Sequence, residues 1–331
     1  MAQVVDMASA MLERPVVGPR AWTRDTVRKE DYLVTLPASA RDELLGALQR
    51  LRTHRLPTLL LTPQDFELHA CAEAMREARR RLDGPPMFAV VDRLPVEEAN
   101  AEELVQLYWL LANLVARPVA QKLDGSIFYP VLDTGAKLKP GSGIRPTLTN
   151  VDLTFHNDNS YNETPPTYVA LMCLSKALSG GLSRVISVDS VHNALLQRHP
   201  ECLPRLYGRF WYDRHREHEE DEIPYFSAPI FEYDGSKLHA RLALNEIFGG
   251  YELRGEPMDQ ETKAALDAVQ EIFGLPELHV ELDFEPGQIQ FVNNRATGHA
   301  RTEFLDGDRA DQKRHLERLW LRDVGARSYR G

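Results

Sequence analysis

The sequence predicts a mainly β protein with helical insertions, whose core is a double-stranded β-helix, or jelly roll. Short apolar runs separated by Gly and Pro turns dominate the chain after residue 120. Few helical patterns lie between these runs, which argues against a doubly wound parallel sheet. There is no internal repeat and no sharp break in composition. We therefore expect a single domain over residues 1–331.

Residues 1–120 are expected to form a mostly helical cover, and residues 121–331 the jelly-roll core. In the cover, leucines at helical spacing and Pro at segment starts predict helices over three segments, 39–51, 63–82 and 96–115. The apolar run 87–91 predicts a strand between the last two.

Alternating and continuous apolar runs predict the strands of the core. They cover residues 126–131, 150–156, 168–174, 183–188, 237–244, 279–284, 288–292 and 315–321. Helical patterns over 191–197 and 259–273 are expected to be insertions that cover the barrel.

Two distant segments carry a candidate metal site. His156 and Asp158 are two residues apart, so on a strand their side chains point to the same side. His299 lies far along the chain, as expected if one metal joins two separate strands. Two imidazoles and one carboxylate form the facial triad of non-heme Fe(II) oxygenases, which leaves positions open for a cosubstrate and dioxygen. We predict that His156, Asp158 and His299 are the catalytic metal ligands.

Two arginines follow on the last predicted strand. Arg314 and Arg318 share a face with Leu316 and Trp320, so both are expected to point into the barrel. A guanidinium on an apolar face costs several kcal/mol unless it is paired, and its planar fork fits a carboxylate. The partner is either the distal carboxylate of 2-oxoglutarate or an acidic side chain; two arginines in register favour 2-oxoglutarate.

From about Pro86 to the C-terminus, the chain resembles the taurine dioxygenase, or TauD/TfdA-like, family of Fe(II)/2-oxoglutarate-dependent oxygenases, which includes the gamma-butyrobetaine hydroxylases. Residues 150–158 resemble its first ligand strand, and 287–301 its second ligand segment. The turn at 179–184 resembles the family's Gly-Gly-x-Thr/Ser turn. This resemblance assigns Ser183 and Arg314 to the distal carboxylate of 2-oxoglutarate, and places Arg318 where some members bind an anionic substrate group.

The resemblance implies Fe(II) as cofactor, with 2-oxoglutarate and O2 as cosubstrates. The implied reaction hydroxylates an unactivated C–H bond of a small polar metabolite, such as an amino acid or natural-product intermediate, and releases succinate and CO2. Many relatives carry a bulky residue before the distal histidine. This chain has Gly298 there, which predicts extra room or flexibility beside the metal.

Strand alternation also directs Asn150 and Asp152 inward, with His156. Together with Asn159, Tyr161 and Arg318 they are candidate substrate contacts, and their mixed charges favour a small zwitterion. An equally weighted alternative is that Asn150 and Asp152 cap loop backbone.

Two other function classes fit parts of the pattern. A metal-dependent hydrolase or isomerase on the same barrel would need the metal but neither Arg314 nor 2-oxoglutarate. A non-catalytic ligand-binding jelly roll would need no complete triad, so the triad weighs against it.

Two polar segments are interpreted as loops. Residues 133–146, rich in Gly, Lys and Pro, are expected at the barrel mouth, either as a lid over the substrate or as a disordered segment. Residues 215–222 hold two histidines and five acids and compete for a metal, but the segment lacks apolar anchoring and is interpreted as a solvated loop.

Composition limits the classes of molecule that the protein is expected to bind and the compartment in which it is expected to work. A net charge of −10 without a concentrated basic patch argues against nucleic acid and leaves a small-molecule substrate. Three cysteines without paired spacing favour the reducing cytoplasm. No leader-like or membrane-spanning segment is recognised in the sequence, and a homo-oligomer is left open.

Overall fold

The computed structural model describes residues 10–137 and 146–331. Its helices are α1 Lys29–Tyr32, α2 Ala38–Thr53, α3 His69–Asp83, α4 Ala101–Val115, α5 Val188–Arg198, α6 Leu203–Tyr207, α7 Leu244–Arg254 and α8 Gln260–Phe273. All five predicted helices are present, with ends shifted by a few residues where side chains such as Asn100 and Asp259 cap the first turn.

The strands are β1 Leu33–Thr35, β2 Phe88–Asp92, β3 Arg117–Val119, β4 Tyr129–Leu132, β5 Leu153–His156, β6 Tyr168–Ser175, β7 Ser179–Gly180, β8 Ser183–Ser187, β9 Arg209–Asp213, β10 Tyr225–Pro229, β11 Phe231–Tyr233, β12 Leu238–Ala240, β13 His279–Leu282, β14 Ile289–Asn293, β15 Thr297–Arg301, β16 Phe304–Leu305 and β17 His315–Arg322.

Two sheets build the barrel. The larger has the order β1-β2-β14-β6-β17-β3, with β4 also paired to β17, and the smaller has the order β13-β8-β15-β5. Side chains from both sheets, among them Leu171, Val185 and Leu316, pack into one buried cluster. The predicted double-stranded β-helix with helical insertions is confirmed.

The N-terminal region is both cover and sheet. Helices α2, α3 and α4 pack through their apolar faces on the outer side of the large sheet. Strands β1, β2 and β3 lie within that same sheet, so residue 120 does not separate the cover from the core. Of these three strands, the sequence pattern predicted only β2.

Side chains of strand β17 point alternately to two hydrophobic cores, one between the two sheets and one under the helices. Leu316 and Trp320 face the cluster between the sheets, whereas Leu319 and Leu321 face the helices. Arg314 and Arg318 share the first of these directions and are buried, at 5% and 3% exposure. The two arginines therefore point into the barrel, as the alternation of side chains predicted.

The chain between residues 209 and 254 differs from the predicted pattern. The predicted strand 237–244 is the short strand β12, after which the chain enters helix α7 at Leu244. A hairpin of β9 and β10 packs near α7 and had no sequence signal that we recognised. This region matters because α7 and the loop after β9 border the candidate site.

The three cysteines, Cys71, Cys173 and Cys202, are free and buried. Among the helices of the described residues, none is both long enough and apolar enough to cross a membrane.

Candidate active site

His156, Asp158 and His299 converge at one point between the two sheets. His156 Nε2 lies 3.5 Å and His299 Nε2 3.7 Å from Asp158 Oδ1. One ligand atom from each residue lies within 4.8 Å of the others, and no other group of this kind occurs in the described part of the chain. This donor set fits a divalent iron site with open coordination positions.

The local fold around Asp158 differs from a continuing strand. Strand β5 ends at His156, and Asp158 lies in the following turn. Asn157 holds that turn, since its side chain accepts from Leu242 N at 2.6 Å and donates to Thr297 O at 2.7 Å. The two ligands therefore meet because the Asn157 side chain ties the turn that carries Asp158 to Leu242 and Thr297.

The two imidazoles have different surroundings: His156 has a hydrogen-bond partner at Nδ1, whereas Nδ1 of His299 is buried without one among the described residues. His156 Nδ1 lies 3.0 Å from the carbonyl of Thr154, so Nδ1 carries the proton and Nε2 presents its lone pair to the centre. His299 lies on β15 and is 6% exposed. Burial, followed by the nearby His156, lowers the pKa of His299 to about 3, which keeps this imidazole neutral and able to bind a metal.

The Asp158 carboxylate is held by its second oxygen. Trp320 Nε1 donates to Oδ2 at 2.6 Å, and Arg318 Nη1 lies 3.0 Å from the same atom. Asn294 fixes the backbone on either side of the Asp158 residue. Burial alone would raise the pKa of Asp158, but Arg318 and the two imidazoles hold it well below its usual range. Oδ1 is thus left as an ionised donor.

Two cavities adjoin the triad. Cavity A, about 630 Å³ including its open mouth, is lined on one side by His156, Asp158, Arg318 and Trp320 and elsewhere by Tyr161, His215 and Glu246. Cavity B, about 390 Å³ measured in the same way, contains Ser183, His299, Arg301, Arg314 and Leu316. His156 and Arg318 line both cavities, so cavity A and cavity B both adjoin the metal triad.

Cavity B holds an incompletely paired guanidinium. Arg314 Nη1 is buried with no hydrogen-bond partner, and Nε makes one long bond of 3.3 Å to the carbonyl of Gly181. Burial, and next Arg301, lower the pKa of Arg314 to about 9. No described acid forms an ion pair with Arg314, so the structural salt bridge considered from the sequence is not made. A bound carboxylate would satisfy this group.

The Gly-Gly turn shapes the approach to Arg314. Gly181 has φ of +71°, and a Cβ there would lie 2.8 Å from Arg314 Cδ, so only glycine fits without moving the arginine. Ser183, the first residue of β8, lines cavity B and donates its hydroxyl hydrogen to Gln290 Oε1 at 2.9 Å. Ser183 and Arg314 thus lie in one cavity, as the resemblance implies.

Arg301 is a cavity residue that the sequence analysis left without a role. Its Nη2 donates to the carbonyls of Thr149 and Val151, while Nε and Nη1 are buried without partners. Burial lowers the pKa of Arg301 to about 10. Its place two residues after His299 on one strand, on the same face, was the available signal.

Arg318 has structural partners in addition to its place in the cavities. Its Nε donates to Gln121 Oε1 at 2.8 Å, and Nη1 pairs with Asp158. The guanidinium lies over the ring of Tyr129, with 4.7 Å between Cζ and the ring centroid. Arg318, which is expected to bind an anionic group of the substrate, therefore also holds Asp158, the carboxylate of the metal triad.

Asn150 and Asp152 lie away from the cavities. His299 pairs with His156 and Arg301 with Leu153, so β5 has one extra residue, a bulge, against β15. The bulge reverses the alternation before it: Leu153 lines the cavities, and Asp152 is 59% exposed, 4.0 Å from Arg184. The inward direction predicted for Asp152 from simple alternation is wrong.

Asn150, Asn159 and Tyr161 are placed differently from one another. Asn150 is exposed, and its carbonyl accepts from Phe304 N. Asn159 lines cavity A, but its Oδ1 already accepts from Asn162 and Tyr329. Tyr161 lines the same cavity with its ring against that of His215. Of these three, Tyr161 has the most direct access to a ligand.

Gly298 does not open space beside the metal. A Cβ at this position would lie 2.9 Å from Leu242 Cδ1 and 3.0 Å from Ile186 Cγ2. Gly298 faces away from the triad because it alternates with His299 on β15. The expected extra room is wrong, and the glycine instead permits close packing of the insertion against the sheet.

The predictions for the two polar segments, 133–146 and 215–222, compare differently with the structure. Residues 138–145 of the expected lid lie outside the described residues. The segment 215–222 is a loop as predicted, but His215 is not simply solvated: it lines cavity A and its Nε2 lies 2.9 Å from Glu246 Oε1. Glu246 comes from α7, which the sequence pattern did not predict, so this pair had no sequence signal.

Residues 57–320 match the model of the family described as taurine catabolism dioxygenase TauD, TfdA family. FR-33289 synthase of Streptomyces rubellomurinus is 28% identical over 323 residues, which cover 96% of this chain and 94% of that protein. Taurine hydroxylase-like protein SAT17 of Stachybotrys chartarum is 26% identical over 311 residues, which cover 90% and 77%.

Solved oxygenase structures share the fold. An asparagine oxygenase in complex with Fe(II), 2S,3S-3-hydroxyasparagine and succinate has a TM-score of 0.64 and 23% identity, with 88% of this chain and 94% of that chain covered. The non-heme iron oxygenase OrfP in complex with Fe and alpha-ketoglutaric acid has a TM-score of 0.64 and 13% identity, at the same coverage.

Proposed function

The chain belongs to the TauD, TfdA family of taurine catabolism dioxygenases, and from that premise we propose that it hydroxylates a small amino acid or an amino-acid-derived natural product. It is an Fe(II)/2-oxoglutarate-dependent oxygenase. With iron and 2-oxoglutarate bound, O2 would be the oxidant: one oxygen atom would enter succinate, formed with CO2 from 2-oxoglutarate, and the other would become the hydroxyl group at the substrate C–H bond.

The observation that carries the proposal is the triad beside an incompletely paired arginine. We propose His156, Asp158 and His299 as the iron ligands, and Arg314 with Ser183 as the holders of the distal carboxylate of 2-oxoglutarate. The support is the 3.5 and 3.7 Å separations within the triad and the unpartnered Arg314 Nη1 in cavity B. These residues orient the cosubstrate and exclude water from it.

Cavity A is the proposed substrate site. It opens directly on the triad, and charged and aromatic side chains line it. The asparagine oxygenase holds 2S,3S-3-hydroxyasparagine, and OrfP has also been solved with (3S)-hydroxy-L-Arg; both ligands support an amino-acid-like substrate here. A cytoplasmic location belongs to the same proposal and is supported by the three free cysteines.

An anaerobic titration tests the cosubstrate assignment. The Fe(II)-loaded protein is titrated with 2-oxoglutarate while the visible metal-to-ligand charge-transfer absorption is recorded. We expect the band in the wild type, its loss in His299→Ala, and weaker 2-oxoglutarate binding in Arg314→Ala, because that variant lacks the charge-assisted hydrogen bonds.

Arg309→Ala is the matched control. Arg309 is an exposed arginine that pairs with Asp311, so its loss removes the same charge away from the site. The control is expected to bind 2-oxoglutarate as the wild type does. No band in the wild type, or equal weakening in both arginine variants, contradicts the proposal.

A further inference from the structure

Cavity A contains a carboxylate that the proposed metal and cosubstrate sites leave unused. Glu246 is the third residue of α7 and lines the same cavity as His156 and Asp158. Its side chain is 19% exposed. Because Glu246 and the triad line the same cavity, a ligand beside the triad would also lie near the Glu246 carboxylate.

Glu246 has room for a further partner. Oε1 is 2.9 Å from His215 Nε2, and within the described ranges no lysine or arginine pairs with Glu246. Burial raises the pKa of Glu246, but the hydrogen bonds from His215 and from its own backbone N–H and the nearby imidazoles together lower it by more, so the net shift is downward and the carboxylate is ionised near neutral pH. A partly buried carboxylate without a cationic side-chain partner of its own can accept a hydrogen bond from a cationic group of a ligand.

The loop that carries His215 holds the pair in place. His215 and Arg216 have φ values of 50° and 59°, in the left-handed region that non-glycine residues rarely adopt. Asp213 accepts from His215 N at 2.8 Å, and the Tyr161 ring meets the imidazole edge-on at 5.1 Å. The backbone, Asp213 and Tyr161 thus fix the imidazole beside Glu246.

The charges of cavity A are complementary to a molecule with both signs of charge. Arg318 supplies a cation next to the triad, and Glu246 supplies an anion in the same cavity. We propose that Glu246, oriented by His215, binds a cationic nitrogen of the substrate, an ammonium or guanidinium group, and thereby selects an amine-bearing substrate. This inference rests on the proposed function and adds the residue that recognises the cation.

Binding of paired probes tests it on the full chain loaded with Fe(II) and 2-oxoglutarate without oxygen. Each probe is paired with a neutralised analogue: L-arginine with L-citrulline, L-lysine with Nε-acetyl-L-lysine, and L-asparagine with Nα-acetyl-L-asparagine. In at least one pair we expect the wild type to bind the cationic member tenfold or more tightly, as a charge-assisted hydrogen bond provides. In Glu246→Gln that preference falls to within about twofold.

Two further variants separate recognition from folding. Glu246→Asp keeps the charge and is expected to retain part of the preference. Glu271→Gln is the matched control, because Glu271 also accepts from a histidine, His199 Nε2 at 3.0 Å, but is 52% exposed on α8. It is expected to keep the full preference, and unfolding temperatures of all variants identify any loss of fold.

The outcomes are distinguishable. A wild type that forms the 2-oxoglutarate absorption band but prefers no cationic probe overturns this inference and leaves the proposed function standing. A folded Glu246→Gln variant that keeps the preference also overturns it, and means that the His215–Glu246 pair only fastens the loop to α7. A wild type without the band contradicts the proposed function itself, and the inference falls with it.

Discussion

The two oxygens of Asp158 have separate partners, and this separation defines the candidate metal centre. Oδ2 is held by Trp320 and Arg318, so Oδ1 faces the two histidines. A carboxylate fixed in this way needs little reorganisation to bind a metal. Mutation of residues that hold a metal ligand typically lowers metal affinity or activity by about tenfold to a hundredfold.

We expect Trp320→Phe to weaken Fe(II) binding by about tenfold to a hundredfold, because it removes the Nε1 donor to Asp158 and keeps most of the ring volume. Competition with a chelator under anaerobic conditions measures the change. Trp109→Phe is the control, since Trp109 is equally buried and its Nε1 donates at 2.9 Å to the carbonyl of Leu61. Equal affinities in the two variants would contradict the role assigned to Trp320.

The triad could be predicted from the sequence, whereas the pair His215 and Glu246 could not. His156 and Asp158 are two residues apart in sequence, and two imidazoles with one carboxylate form a well-known set of metal ligands. His215 reaches cavity A through two left-handed backbone positions, and Glu246 lies on a helix that the sequence pattern did not predict. Such placement depends on tertiary packing, which periodicity does not report.

At the scale of elements, the turn between β7 and β8 supports cavity B. Gly180 and Gly181 both have positive φ, and Gly181 lies against the Arg314 side chain. The same turn leads to Ser183, so one short connection positions two sides of the cavity. Its Gly-Gly sequence was a reliable signal because no other residue type combines this backbone with so close a contact.

Gly181→Ala is expected to weaken 2-oxoglutarate binding by about tenfold or more, because the new methyl group must displace the Arg314 side chain from its place. The anaerobic absorbance titration measures the change. Gly235→Ala controls for backbone strain alone, since Gly235 also has positive φ, +93°, but nothing lies within 4 Å of its Cβ position. Similar losses in both variants would mean that strain, and not contact with Arg314, is responsible.

Strand β5 shows why element prediction does not determine side-chain direction. The strand itself was predicted, and its last residue, His156, points as expected. The bulge against β15 reverses the direction of residues before it, which moves Asp152 to the surface. A bulge depends on how two distant strands pair, so a single strand's pattern does not reveal it.

For the whole molecule, the sequence predicted the barrel but not the extent of its larger sheet. Strands β1 and β3 have only three residues each, too few for a clear alternation. Both join the sheet through residues assigned to the cover, so the N-terminal region and the barrel share one hydrogen-bonded sheet. We infer that cover and core unfold together.

Acid is expected to reduce the stability of this whole unit partly through His192. This fully buried residue of α5 has its pKa lowered by burial to about 4, below the 6.5 of an unfolded histidine. Its neutral form therefore stabilises the fold above pH 6.5, and that contribution is lost as the pH falls towards 4, by up to about 1.4 kcal/mol per pH unit.

Urea unfolding at pH 7 and pH 5 measures this contribution. Between these two values His192→Gln should lose about 2 kcal/mol less than the wild type, because glutamine takes up no proton over this range. His69→Gln, at an exposed position on α3, should follow the wild type. An unchanged pH dependence in His192→Gln would contradict the assignment.

The burial of all three cysteines has a consequence for an enzyme that consumes dioxygen. Burial raises the pKa of both Cys71 and Cys173 to about 12, and raises that of Cys202 above its usual value. The thiolate is the form that oxidants attack, and these thiols stay protonated and covered. The three thiols are therefore poor targets for oxidising species that escape from the active site.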